Sequence, residues 1–243
     1  MQSAGPERRV FHRTMPPSII AIDGPAGSGK STLAHRLAQR LGYTYFDTGV
    51  MYRAVSLAAL DHGVSVDDEI GLTELAESVH IDVEPPTVDD GRLYTVLLDG
   101  VDVTWRIRTP AVDAIVAPVS AVRGVRRALL DQQRRIGRRG RVLMVGRDIG
   151  TVVFPEADLK LFVDATLEAR ARRRHQELEQ RGERVTFAHV VEEMRRRDER
   201  DRNKPISPLV PAPDAITLDT TNLDIETMVD RVEAIITQGG PQP

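Results

Sequence analysis

The sequence predicts an α/β fold with a parallel sheet. Three observations support it. Short apolar runs alternate with segments of helical periodicity, as in repeated strand–helix–strand units. The first of these runs leads directly into a glycine-rich loop and a helix. With 243 residues, 41% of them hydrophobic, the chain can bury one core with insertions or two small ones.

Ile19–Asp23 reads as a buried strand, because Ile19, Ile20, Ala21 and Ile22 are continuously apolar. Leu33, Ala34, Leu37, Ala38 and Leu41 repeat with helical spacing and place a helix at Lys30–Leu41. Between them, Gly24-Pro-Ala-Gly-Ser-Gly-Lys-Ser31 matches G-x-x-x-x-G-K-S, the P-loop pattern. Gly24, Gly27 and Gly29 allow backbone conformations that a side chain forbids, so amide N–H groups can turn inward around a polyphosphate. Lys30 supplies a compact positive charge for β/γ-phosphates, and Ser31 a hydroxyl for Mg²⁺. The dipole of the following helix points at the same anion. ATP and Mg²⁺ are therefore the expected cofactors. ATP would be held by Gly24, Pro25, Ala26, Gly27, Ser28, Gly29, Lys30, Ser31 and Thr32, with Ser31 on the metal. A glycine-rich turn that binds nothing would not need these flanks.

Further strands are expected at Tyr43–Asp47, Val142–Gly146, Leu159–Val163 and Ala215–Asp219; the first of these is short. Helices are expected at Gly49–His62, Ala111–Ile136, Leu167–Arg181, Phe187–Arg200 and Ile225–Thr237. One segment breaks the alternation. Val79–Glu84 and Arg92–Val103 are strand-like, flank the turn-rich Pro85–Gly91, and include a second tight turn at Asp99-Gly100. They read as a small antiparallel insertion.

Net charge is −3, which argues against an electrostatic nucleic-acid binder. There is no cysteine, so neither a disulfide nor a thiolate metal site can form. No apolar run approaches the ~18 residues that span a bilayer. Residues 1–17 are polar, contain Pro6, Pro16 and Pro17, and lack the apolar stretch of a signal peptide. They read as a disordered leader, and residues 238–243 as a frayed tail. A cytoplasmic monomer with no membrane partner is expected.

A P-loop names the donor but not the acceptor. No Asn-Lys-x-Asp guanine-reading motif is present, which argues against a conventional GTPase. Arginines instead collect at the ends of predicted elements: Arg53 after Asp47-Thr-Gly-Val-Met-Tyr52, Arg126 and Arg127 on a long helix, and Arg147 in Val145-Gly-Arg-Asp-Ile-Gly150. Open α/β sheets bind ligands beyond the carboxyl ends of their strands, which favours Asp47, Arg147 and Asp148. Arginine's planar fork suits a phosphate monoester. Arg127, Arg134 and Arg135 read better as solvated surface residues. Tyr52 reads as a core aromatic or as the lining of a base or sugar. From Leu167 to Lys204, twelve Arg or Lys face nine Asp or Glu, a mildly basic pair of helices joined around Gly182. It reads as a mobile lid whose Arg170, Arg174, Arg197 and Arg200 close over the phosphates. A solvated hairpin laced with ion pairs is the reading for Arg172, Arg184 and Arg195.

These residues resemble the bacterial-type cytidylate kinases, within the nucleoside monophosphate kinases. The resemblance spans about Ile19 to Val232. It rests on Ile22-Asp-Gly-Pro-Ala-Gly-Ser-Gly-Lys30, Asp47-Thr-Gly-Val-Met-Tyr-Arg53, Ile107-Arg-Thr109, Gly146-Arg-Asp-Ile-Gly-Thr-Val-Val-Phe-Pro155, Arg197-Asp-Glu-Arg-Asp-Arg-Asn203 and Ser207-Pro-Leu209. The P-loop is widely shared, but the whole set in this order is specific. The resemblance implies a five-stranded parallel sheet with helices on both faces, a small antiparallel insertion and a helical lid. It implies one kinase domain over 18–237, with its core at 18–62 and 139–237, a monophosphate-binding insertion at about 63–138 and a lid at about 167–204. It further implies phosphoryl transfer from MgATP to CMP or dCMP. Arg53 and Arg147 would hold the acceptor phosphate. Thr48, Arg126, Asp148 and Lys204 would face cytosine, and Arg197 and Asp201 would reach the sugar.

Three positions depart from the family pattern. Thr48 stands where serine is common, Lys204 where arginine is expected, and Ala117 where an ungapped reading places a sugar-facing serine, with Ser120 nearby but out of register. They bear on base and sugar preference and leave the reaction intact. A related kinase acting on UMP or AMP is the alternative. A P-loop ATPase or switch that binds a macromolecule through the arginine-rich hairpin is the rival of another class. Lys30→Ala is expected to abolish ADP release while leaving circular dichroism and thermal unfolding close to wild type; near-normal turnover would remove the P-loop assignment.

Overall fold

The computed structural model describes residues 16–204 and 206–238. The expected leader lies outside them except for Pro16 and Pro17, and the expected tail except for Gln238. The main sheet contains β1 (Ile19–Asp23), β2 (Thr44–Asp47), β6 (Val142–Gly146), β7 (Leu159–Asp164) and β8 (Ile216–Asp219). Its order is β2-β6-β1-β7-β8, and every neighbouring pair is parallel. Successive side chains of a strand point to opposite faces, yet all five residues of β6 are buried, so both faces of the sheet are covered. The expected strands are all present, within one residue at each end.

The helices are α1 (Lys30–Leu41), α2 (Gly49–His62), α3 (Glu69–Ser78), α4 (Pro110–Ala121), α5 (Arg123–Gly137), α6 (Leu167–Gln180), α7 (Phe187–Arg202) and α8 (Ile225–Gln238). In α1 the apolar repeat works as read: Leu33, Ala34, Leu37 and Ala38 are buried, and Gly42 ends the helix at φ 66°. Arg40 fastens α1 to Glu226, Asp230 and Glu233 of α8.

Two features differ from the sequence reading. The single helix expected at Ala111–Ile136 is broken at Val122, which is extended at φ −67° and ψ 123°. Pro118 has no N–H for the helical ladder, and Gly124 lets α5 pack directly on α3. A Cβ at Gly124 would lie 2.0 Å from the Thr73 hydroxyl oxygen. The second is α3 itself, which was not expected. Asp68 caps it by accepting the Gly71 N–H at 2.9 Å, but only Leu72 and Ala76 are buried, too few for a clear apolar stripe.

The antiparallel insertion forms as read, from β3 (Ile81–Glu84), β4 (Thr95–Leu98) and β5 (Val101–Asp102). Asp99 and Gly100 make its tight turn, both at positive φ (50° and 80°). It is fastened to α5. Gln132 accepts from the Ile81 N–H at 2.8 Å and donates to the Val79 carbonyl at 3.0 Å, and Arg135 donates to the Ile81 carbonyl at 2.7 Å. Arg135 is therefore bound rather than solvated, and so is Arg134, which donates to the carbonyls of Val152 and Val153 at 2.9 Å. Arg127 is exposed, as read.

The helices α6 and α7 form the expected hairpin, turning at Gly182 (φ 79°) and closed by a small apolar cluster of Ala171, Leu178, Val190 and Met194. Arg172 pairs with Glu168 and Arg195 with Glu192, as the solvated-hairpin reading requires. Gly124→Ala is expected to lower stability by about 1–3 kcal/mol through overpacking against Thr73, measured by urea unfolding, and Thr73→Ala in the same chain should recover part of the loss.

Candidate active site

The parallel strands all deliver their carboxyl ends to one edge, where Asp23, Asp47, Gly146, Asp164 and Asp219 stand. The P-loop leaves β1 there. Gly24 adopts φ 151°, and a Cβ at that position would lie 2.0 Å from the Val163 carbonyl oxygen, so only glycine fits. Lys30 Nζ donates to the Pro25 carbonyl at 3.0 Å across the loop. Burial, followed by the charges of Arg147 and Arg197, holds the Lys30 ammonium well below the usual lysine range, with Asp47 and Asp23 opposing. An entering polyphosphate supplies the counter-charge this ammonium lacks.

Arg147, just beyond β6, spans the site. Its Nη1 donates to the Gly24 carbonyl at 3.0 Å, and its Nε to Asp201 Oδ2 of α7 at 3.0 Å. Lys204 Nζ meets the other oxygen of Asp201 at 2.9 Å. Burial pushes the Asp201 carboxyl up, but Arg147 and Lys204 outweigh it and hold Asp201 below the usual range. Arg197 lies in the same region: burial, then the charges of Arg147, Arg200 and Arg174, lower its pKa. Lys30, Arg147, Arg174, Arg197 and Arg200 thus form one cationic group, as the sequence suggested.

A second group lies beside it. Arg126 donates to Asp148 Oδ2 at 2.6 Å, and its guanidinium carbon sits 5.7 Å from the centre of the Tyr52 ring. The Tyr52 ring packs on the core, as one of its two readings expects, and also supports Arg126. Thr48 is buried and donates its hydroxyl to the Val145 carbonyl at 3.1 Å. Arg53 donates to the Ile107 carbonyl at 2.9 Å and pairs with Asp113 at 2.5 Å. Lys204 joins Asp201, whereas Asp148 is held by Arg126, so the residues expected around one base divide between two clusters. The Ser120 hydroxyl donates to the Ala117 carbonyl at 2.9 Å within α4.

The cytidylate kinase family model matches residues 20–238. A cytidylate kinase of Chloroflexus aggregans is 54% identical over 202 residues, covering 83% of this chain and 86% of its own length. One from Herpetosiphon aurantiacus is 45% identical over 227 residues, covering 93% and 97%. One from Carboxydothermus hydrogenoformans is 50% identical over 217 residues, covering 89% and 96%.

The chain belongs to the cytidylate kinase family.

In this family member Arg170, read from the sequence as closing over the phosphates, is paired within the hairpin. Arg170 is 2% exposed, and its guanidinium makes four hydrogen bonds: two to Asp198 at 3.1 and 2.6 Å, one to the Ala165 carbonyl at 2.9 Å and one to the Ala26 carbonyl at 3.1 Å. It clamps α6, α7 and the P-loop together. Arg174 remains partly exposed and pairs with Glu177 at 3.1 Å.

Three residues escaped the sequence reading. The Thr220 hydroxyl donates to the Ser28 carbonyl at 2.8 Å, and Arg173 reaches the carbonyls of Gly27 and Thr220, so both brace the outer side of the P-loop. Neither belongs to a spaced motif. The third is Asp23, at the end of β1. It accepts from the amides of Ile149 at 2.8 Å and Gly150 at 2.7 Å. Its apolar-strand context concealed it. Arg170→Met or Asp198→Leu alone is expected to cost about 3–5 kcal/mol by leaving a buried charge unpaired. The double variant should recover most of this in urea unfolding.

Proposed function

We propose that this chain moves the γ-phosphoryl group of ATP onto CMP or dCMP, giving CDP or dCDP and ADP. The observation that carries this reading is the Arg126–Asp148–Tyr52 group one strand from a P-loop, in a member of the cytidylate kinase family. Asp148 presents a carboxylate oxygen to the exocyclic amine of cytosine, a donor. Uracil has a carbonyl there, which a carboxylate repels. Arg126 fixes the orientation of Asp148, and the Tyr52 ring holds Arg126.

Arg147 and Arg53 bind the acceptor phosphate. Arg53 exchanges its exposed partner Asp113 for the substrate's oxygens, which costs little because a solvent-exposed pair is worth about 0–1 kcal/mol. Arg197 and Asp201 reach the sugar, and Lys204 extends that group toward the base. The acceptor oxygen belongs to a phosphate monoester whose second pKa is about 6. It is already ionised at neutral pH, so no side chain needs to remove a proton. It attacks the γ-phosphorus in line, the bond to the β-bridging oxygen breaks, and ADP leaves. The residues of this chain position the two substrates and stabilise charge. Lys30 and the P-loop amides hold the donor, and Arg147 and Arg174 face the transferring group. Closure of the hairpin excludes water.

Ser31 fits Mg²⁺. It offers a neutral hydroxyl oxygen at the first turn of α1, beside the Tyr45 hydroxyl, and hard divalent cations take such donors. Among the described residues no cluster of three His, Cys, Asp or Glu side chains offers a separate metal cage, so Ser31 is the residue that would hold the ion together with the nucleotide. The ion, bound with ATP, neutralises charge on the β- and γ-phosphates. No described helix is long and apolar enough to cross a membrane. We place the reaction in the cytoplasm, with the chain acting as a monomer.

ADP release from MgATP tests the reading, using no acceptor, CMP, dCMP, UMP, AMP or GMP. Fast release is expected with CMP and dCMP alone, and Asp148→Asn should reduce the CMP-over-UMP ratio by about 10- to 100-fold. Equal release with UMP would remove Asp148 as the base reader, and release without acceptor would remove the kinase reading.

A further inference from the structure

We propose that Asp23 is a positioning residue for the acceptor: its buried carboxylate sets the turn that carries Arg147 and Asp148 and locks it to the P-loop. The inference rests on Arg147 and Asp148 being the acceptor-binding pair.

Asp23 is 4% exposed and stands opposite Gly146 in the β1–β6 register, directly before Arg147 in the chain. Its two oxygens serve different amides, Ile149 N–H at 2.8 Å and Gly150 N–H at 2.7 Å. Only an ionised carboxylate accepts fully from both. These amides open the helical turn Ile149–Val153, whose carbonyl acceptor is Asp148 itself, with the Val152 N–H at 2.9 Å. The backbone then closes a circuit. Asp23 leads into Gly24, the Gly24 carbonyl accepts from Arg147, and Arg147 leads through Asp148 to the amides on Asp23. Two chain segments that are far apart in sequence are thus bolted twice within a few residues. A shift of the turn would misdirect the Arg147 guanidinium and the Asp148 carboxylate together.

Several charged groups surround Asp23. Asp148 and Arg147 lie on the turn, Lys30 on α1, and Lys160 on β7, its stem against Gly150 and its ammonium turned to Asp214. Burial pushes the Asp23 carboxyl up to about 6; the amides of Gly150 and Ile149 oppose this, Asp148 adds to it and Lys30 opposes it. Above that value both amides have an acceptor, and below it one loses most of its bond. Because burial outweighs the amides, it is the charged carboxylate that is costly in the closed turn, so the geometry of the two bonds, and not titration, carries the inference.

The test is steady-state kinetics of Asp23→Asn beside Asp148→Asn. An asparagine turns N–H groups toward one of the two amides. We expect the KM for CMP to rise about tenfold, the effect of leaving one buried amide without its acceptor. The KM for ATP should stay within about a factor of three, and the preference for CMP over UMP should fall as it does in Asp148→Asn. A rise shared equally by ATP, or an unchanged KM for CMP beside an altered Asp148→Asn, overturns the inference alone. If Asp148→Asn changes neither CMP use nor base preference, the acceptor-site reading fails, and this inference with it. The wild-type chain supplies a readout that does not depend on a variant folding. The Ile149 and Gly150 amides, held by Asp23, should be protected from hydrogen exchange and more protected when CMP is bound. Exchange that CMP leaves unchanged overturns the inference.

Discussion

Like charges repel, and more strongly as water is excluded. At the carboxyl edge of the main sheet, the charges of Arg147 and Arg197 push the Lys30 ammonium down, and the charge of Arg147 pushes Arg197 down. The surrounding architecture contains that repulsion. Asp201 takes Arg147 and Lys204, Asp148 takes Arg126, and Asp198 takes Arg170. Each of these acids is on a different element from its main arginine partner, so the pairs that neutralise charge also fix how the P-loop, the turn after β6 and the hairpin meet. The loop's outward carbonyls serve the same end, since Gly24, Ala26 and Gly27 all accept from arginines. What the site withholds is enough negative charge to satisfy Lys30, and a nucleotide brings it.

The parts of this arrangement that were legible in sequence share one property: their physics is local. A strand, a glycine-rich turn and an amphipathic helix within a dozen or so residues specify the P-loop and α1. The Asp99-Gly100 turn specifies its own hairpin. Arg147 and Asp148 were legible because a strand end followed by glycines places side chains at a ligand-binding edge. The remainder depended on distant partners. Pro118 alone did not reveal the break at Val122, because the close packing of Gly124 on Thr73 of α3 beside it is a contact between segments distant in sequence. Arg134 and Arg135 looked solvated because their acceptors are backbone carbonyls elsewhere in the chain. Arg170 looked like a mobile finger because Asp198, its partner, lies on the other arm of the hairpin. Asp23 ends an apolar run and gave no signal of the two amides that would find it.

The insertion shows how a small sheet is kept in place without a core of its own size. Its backbone is held by polar side chains of α5, through Gln132 and Arg135, and Asp82 is held by Arg135 and Arg139. That helix also presents Arg126 to Asp148. One helix therefore sets both the insertion and the orientation of the Arg126–Asp148 pair.

The α6–α7 hairpin has an apolar cluster separate from the main core, and Ala26 of the P-loop borders it. A unit built on so few apolar side chains opens at a lower free energy than the sheet. Yet it carries Arg174, Arg197 and Asp201, the groups assigned to phosphate and sugar. Their order is thus borrowed from whatever they hold. On the proposed assignment, a bond from α7 to a substrate adds to the cohesion of this hairpin, and product departure removes it, leaving the buried Arg170–Asp198 pair to hold the two arms together.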